Sequence, residues 1–285
     1  MTLRLRPVAL IALLALSVQN GTTQAPPPGP AESLVYREVA GRPLHLYLFR
    51  PPEQKARKPR NVILLFHGGG WSAGAPDWTY SAARQFAEWG LVAIPVEYRL
   101  AEGDLTPIDA LKDVCAAFAW VRAHAAELRV TGRLAGYGVS AGGQLATATA
   151  TVGCESGQAG PEALLLLSPA LDLARDPWFG KLLKGRGTPG AFSPVEHVRR
   201  STAPTSIVQG AADVLTPLES ARRYCTLLQS YGKVCQLHVY PDLGHLLTRN
   251  LEDQESNFDP DPAARADGME RHRAFLRQIG FLPAE

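Results

Sequence analysis

A dominant charge is the first thing this 285-residue chain lacks: 29 Lys and Arg stand against 27 Asp and Glu, a net charge of +2. With neither a basic patch nor an acidic tail, no nucleic-acid partner is expected. Internal repeats and heptads are missing too, which removes solenoids and coiled coils. The longest apolar run, residues 8–18, is too short to cross a bilayer comfortably, so no stable membrane span is expected. Cysteine is scarce. None of the four has a metal-site spacing or reads as a nucleophile, and neither metal nor cofactor is expected.

What is present begins with a leader-like pattern. Arg4 and Arg6 precede the apolar run, and residues 19–25 are polar with small side chains. That order describes a secretory signal peptide over residues 1–25, and hence an exported (periplasmic or secreted) protein; an uncleaved tether is the alternative. Residues 26–33, with Pro26-Pro27-Pro28-Gly29-Pro30, read as a stiff extended spacer before a single domain over 34–285. In an exported chain the cysteines favour disulfides. Cys225 and Cys235 sit in a helix and the strand after it, a short local loop. Cys115 and Cys154 would then pair by elimination, while four buried thiols stay open as the alternative.

Two alternating runs, 34–39 and 44–49, flank Gly41-Arg42-Pro43 and predict an antiparallel hairpin. The continuous apolar stretch at 61–66 predicts a strand covered on both faces, and further strands are expected at 91–96, 133–135, 163–167, 206–209 and 235–240. Helices are expected between them: from an Asp77 cap to Gly90, from Thr106-Pro107 to about residue 125, from Ser140 onward, from a Thr216 cap with Pro217 and Glu219 to Gly232, and over 267–279. Residues 172–203 read as irregular. Alternation of this kind predicts an α/β fold, a mostly parallel central sheet with an antiparallel N-terminal hairpin and helices on both faces.

Reactive groups on such sheets gather where strands end. The first strand after the hairpin ends in His67-Gly68-Gly69-Gly70-Trp71, a loop whose backbone N–H groups no side chain obstructs. A phosphate loop is the rival reading, but no Lys-Ser/Thr pair follows. Next comes Gly138-Val139-Ser140-Ala141-Gly142-Gly143, a serine on a tight strand-to-helix turn. Asp213 follows a later strand and His245 the last one. Serine needs a base and histidine needs a carboxylate, and the order Ser, Asp, His supplies both. Asp242 is too close in sequence to His245 to serve as its partner, and Asp172 lies one strand earlier. His45, His124, His197, His238 and His272 read as packing or surface residues.

Together with Glu97-Tyr98-Arg99-Leu100 and Gly244-His245, these motifs resemble the α/β-hydrolase fold esterases and lipases over nearly the whole of residues 34–285. The resemblance implies Ser140 as nucleophile, His245 as general base and Asp213 as its orienting acid. It also implies oxyanion donors at Gly69, Gly70 and Ala141, with His67 holding the glycine loop. Val139 stands where hormone-sensitive-lipase-like members carry Asp, and the segment before residue 38 is too short for their helical cap. The chain is thus more similar to the acetyl-esterase and carbohydrate-esterase branch, with an open, shallow pocket. The segment 172–203, carrying Trp178, Phe179 and Phe192, is expected at the substrate. The implied activity is hydrolysis of short-chain, acetyl-type esters of small molecules, acetylated carbohydrate among them. An amide or peptide hydrolase of formamidase type is the alternative, followed by a non-catalytic binding protein.

Overall fold

Strands β3 (Arg60–Phe66), β4 (Val92–Pro95), β5 (Val130–Val139), β6 (Ala163–Leu167), β7 (Thr205–Gly210) and β8 (Cys235–Tyr240) form a parallel sheet in the order β4-β3-β5-β6-β7-β8. The chain moves outward in one direction after β3 and in the other after β5. The reversal opens a crevice at the carboxyl ends of those two strands. This computed structural model describes residues 29–283 except 53–57, 156, 158 and 159. The leader and the first prolines of the spacer lie outside the described residues.

Alternation along β3 explains the layering. Val62, Leu64 and Phe66 enter one apolar cluster, and Ile63 and Leu65 enter another on the opposite face. The first cluster is closed by α2 (Pro107–Ala123), α3 (Ala141–Thr151) and α5 (Leu218–Ser230), the second by α1 (Tyr80–Glu88) and α6 (Pro262–Gln278). An antiparallel hairpin, β1 (Glu32–Val39) and β2 (Arg42–Leu48), forms its own two-stranded sheet and meets β4 through bridges at Leu46–Val96 and Phe49–Ala93. Among the described residues no helix is long and apolar enough to cross a membrane.

Several element boundaries depart from expectation, each for a local reason. Asp77 caps nothing: it lies in a 3₁₀ turn, Pro76–Thr79, that leads into α1. Thr106 does form the capping box, with Asp109 as the reciprocal acid. Thr216 is no helix cap, since α5 starts after Pro217 with no side-chain cap. Strand β5 is not the short run 133–135 but ten residues reaching Val139, so the turn is confined to Ser140. Helix α6 begins at Pro262, five residues early, because Asp261 accepts from the Ala264 N–H. The segment 172–203 holds a short helix, α4 (Pro177–Leu182), and two 3₁₀ turns.

Both cystine pairings are as expected, Cys115–Cys154 across 39 residues and Cys225–Cys235 across 10. Loop-closure entropy makes the first worth about 4 kcal/mol and the second about 3 kcal/mol. Replacing Cys115 and Cys154 by Ser should therefore lower the urea unfolding free energy more than replacing Cys225 and Cys235. Unfolding curves for the two paired variants check that order.

Candidate active site

Ser140 joins β5 to α3 with φ 52° and ψ −118°, a conformation L residues rarely hold. Its neighbours leave it no alternative. A Cβ at Gly142 would overlap the Phe66 and His67 carbonyls, and one at Gly138 would lie 2.5 Å from the Gly143 Cα. The Ser140 N–H donates to the Leu167 carbonyl at 3.0 Å, and the Ala170 N–H donates to that of Ser140 at 3.2 Å. The serine is thereby presented at the N-terminus of α3, where the first N–H groups have no acceptor within the helix.

The side chains from three strand ends converge. Ser140 Oγ lies 3.0 Å from His245 Nε2, and His245 Nδ1 lies 2.9 Å from Asp213 Oδ2. His245 is 3% exposed and Asp213 5%. With Nδ1 donating to the carboxylate, Nε2 is left to accept the serine proton, so the line can carry a proton from hydroxyl to imidazole. The rejected acids are placed elsewhere: Asp172 pairs with Arg223 at 2.7 Å, and Asp242 sits in a left-handed turn. The other histidines have their own partners or places. His45 meets Glu97 at 2.9 Å, His124 stacks on Trp120, and His197 meets the Gly190 carbonyl. His238 lies half-buried in β8, and His272 Nδ1 is 3.0 Å from Ser206 Oγ.

Gly69 and Gly70 follow β3 at φ 106° and 55°, and Ala141 opens α3. A side chain at Gly69 would overlap the Ala73 carbonyl, so only glycine fits. A Cβ at Gly68 would lie 3.3 Å from that of Ser140, so the loop passes against the serine. His67 supports the loop. Its Nδ1 is 2.7 Å from the Gly68 carbonyl, and its ring stacks on Tyr98, whose hydroxyl donates to the His67 carbonyl at 2.7 Å. Burial pulls the His67 pKa down to about 4. Trp71 Nε1 donates to Gln144 Oε1 at 2.9 Å and ties the loop to α3.

Residues 172–203 approach the site unevenly. The half-exposed Trp178 lines the cleft and donates its indole N–H to the Gly70 carbonyl at 3.2 Å. Phe179 is buried against Trp71, and Phe192 contacts Phe179, so these two are packing residues. The cleft has a volume of about 1810 Å³. Among the described residues no three His, Cys, Asp or Glu side chains converge as metal ligands would.

Three polar residues at the site escape a reading of motifs. Thr216 Oγ1 lies 2.8 Å from Asp213 Oδ2 and 3.2 Å from His245 Nδ1. Gln209 Nε2 donates to Asp213 Oδ2 at 2.9 Å. Buried Gln254 accepts the His245 N–H at 2.8 Å and the Val214 N–H at 3.2 Å, and donates to the Ala212 carbonyl at 2.9 Å. It thus fastens the histidine loop to the acid loop. Position is the only signal for Gln209, one residue before Gly210; Gln254 carries none.

Two expectations concern stability. Gln254→Ala leaves three backbone groups without their partner, the buried His245 N–H among them, and should cost about 1–3 kcal/mol in urea unfolding. The pKa of His272 is pulled by burial down to about 3. Both His67 and His272 are neutral when folded yet take up a proton near pH 6.5 when unfolded. Stability should be complete above that pH and fall as pH is lowered toward 4, by up to about 1.4 kcal/mol per pH unit for each. Urea midpoints measured from pH 7.5 to 4 check the slope.

Residues 63–181 match the family model described as alpha/beta hydrolase fold. The native structure of Thermogutta terrifontis esterase 2 superposes with a TM-score of 0.79 at 31% identity, over 93% of this chain and 98% of that one. Its butyrate-bound form gives 0.78 at 31%, over 90% and 97%. "Probable carboxylic ester hydrolase LipM" of Mycobacterium tuberculosis is 27% identical over 265 residues, 78% of this chain. The chain spans 59% of that relative's length, and 6% of a second curated relative, a polyketide synthase of Emericella nidulans. With an esterase matched along nearly its full length and the same fold signature through the crevice, the chain belongs to the α/β-hydrolase esterase family.

Proposed function

We propose that this chain is an exported serine hydrolase of small carboxylic esters with short acyl groups, acetyl among them. The observation that carries the reading is the unbroken line Ser140–His245–Asp213, 3.0 and 2.9 Å between its members. Ser140 Oγ attacks the ester carbonyl as His245 Nε2 takes its proton. The backbone N–H groups of Gly69, Gly70 and Ala141 receive the charge that develops on the carbonyl oxygen. His245 then returns the proton to the departing alcohol, and a water activated by the same imidazole releases the acid. Asp213 holds the imidazole tautomer throughout.

The propionate- and butyrate-bound forms of the Thermogutta esterase support a short acyl group. Export rests on the leader-like residues 1–25 and on the two disulfides, which persist in oxidising compartments. Residues 34–285 are taken as one domain, and acetylated carbohydrate is the natural-substrate class to try after simple esters.

The test is hydrolysis of p-nitrophenyl acetate, butyrate and octanoate. Turnover should fall with acyl length, and Ser140→Ala should lower kcat by about 10⁴-fold or more with an unchanged unfolding curve. Residual turnover near the parent rate in Ser140→Ala removes the serine from the reaction.

A further inference from the structure

The cleft does not end at the serine. It continues past Val139 between α1 and α6, where Gln85, Tyr137, Val208, Arg265, Met269 and His272 line it. Alternation along β5 places Tyr137 and Val139 on the same face of the sheet, the one covered by those helices. Three residues of extended chain separate Tyr137 from Ser140, roughly 10 Å. This lobe therefore lies within reach of a substrate held at the serine.

Its walls are apolar apart from a few groups. Val139, Val208 and Met269 supply hydrocarbon, and His272 is committed to Ser206. Three polar groups are left over: the Gln85 amide, the Tyr137 hydroxyl and the Arg265 guanidinium. Tyr137 is 4% exposed, and its hydroxyl, which keeps access to the cleft, has no hydrogen-bond partner among the described residues; its ring packs edge-on against Phe86 and His272. Arg265, half-buried on α6, makes no ion pair among the described residues and is the lobe's one cation. The two groups sense each other. Burial pushes the Tyr137 hydroxyl pKa up, and the positive charge of Arg265 opposes it. Of the carboxylates that line the cleft, Asp172 and Glu196 pair with Arg223, Asp176 caps α4 and Glu219 meets Arg222, while the exposed Glu255 makes no ion pair among the described residues.

A guanidinium and a phenol, both donors and both lacking an acceptor inside a mostly apolar pocket, match one ligand group: a carboxylate. We infer that this lobe binds a carboxylate carried by the ester a few atoms from the scissile bond, with Arg265 and Tyr137 as its specificity residues. The inference rests on the esterase reading above. It narrows the substrate class from neutral short esters to half-esters of dicarboxylic acids or esters of hydroxy- or phenol-carboxylic acids.

Two measurements separate this inference from the reading beneath it. The first compares kcat/KM for mono-p-nitrophenyl glutarate, charged on the acyl side, and 4-carboxyphenyl acetate, charged on the alcohol side, each against p-nitrophenyl butyrate. One charged probe should gain over butyrate, and that identifies the side. Its advantage should fall about 10- to 100-fold in Arg265→Gln, the range for losing a charge-assisted hydrogen bond. Arg265→Lys should restore part of it, and Tyr137→Phe should remove a smaller share. The second measurement is calorimetric binding of glutarate to the parent protein and to Arg265→Gln, which needs no turnover. Binding that depends on Arg265 with no ester hydrolysed keeps the carboxylate site and sinks the catalytic reading. Ester turnover with equal charged-to-neutral ratios in parent and Arg265→Gln, or glutarate binding no weaker in the variant, overturns the carboxylate site.

Discussion

The strained backbone at Ser140 is the constraint from which the rest of the structure follows. A non-glycine residue held at φ 52° costs about 1–3 kcal/mol, and such a conformation persists only where its surroundings leave no other. Here those surroundings are the ends of three strands. The Leu167 carbonyl at the end of β6 accepts the Ser140 N–H. The Phe66 and His67 carbonyls at the end of β3 press on Gly142, which can be nothing larger. The glycine loop then runs against the serine because the chain that presses on Gly142 is the chain that leads into it. Ser140 and the glycine loop are therefore parts of one packing solution.

The histidine side is built differently, from hydrogen bonds. Asp213 accepts from Gln209, from His245, and from the N–H groups of Leu215 and Thr216, with the Thr216 hydroxyl beside it. Buried carboxylates are costly unless satisfied in this way, and each donor also fixes where the oxygens point. Gln254 does the same for the backbone of the two loops. Neither loop has a strand or α-helix to hold it, since β7 and β8 end before them and His245 opens only a three-residue 3₁₀ turn, His245–Leu247. The side-chain network takes over the task that strand and helix perform at Ser140.

That contrast explains what was legible in the sequence. Groups placed by secondary structure were readable: the glycines around Ser140 carry a steric meaning at fixed spacing, and the runs preceding Asp213 and His245 read as strands. Groups placed by tertiary hydrogen bonds were not. Thr216 has every mark of a helix cap, a Pro next to it and a Glu three residues on, yet its hydroxyl turns to the acid, because a buried carboxylate is a stronger acceptor than helix N–H groups are donors in need. Gln254 lies in a loop with no periodicity, and its three partners are 9, 40 and 42 residues away. Boundaries fail for a similar reason. The Asp261-Pro262 start of α6 is a local signal overlooked, whereas the Asp77 cap is a local signal that the 3₁₀ turn ahead of α1 overrides.

Strand β5 shows how one register serves both halves of the site. A Cβ at Gly136 would lie 3.3 to 3.5 Å from Leu164, Phe118 and Ala146, and one at Gly138 would press on Gly142 and Gly143, so these residues let α3 lie close on one face. Tyr137 and Val139, pointing the other way, line the cleft between α1 and α6. A slip of one residue would exchange the faces, forcing a phenol under α3 and leaving glycines on the lobe's wall. The serine would lose its turn at the same time. Val139 can be apolar here because the adjacent wall is apolar too, with Val208 and Met269 beside it. Polarity returns deeper in the lobe, with Gln85, with His272 held by Ser206, and with the pair Tyr137 and Arg265. Val139, the residue before Ser140, thus lies on the path from the serine to those two groups.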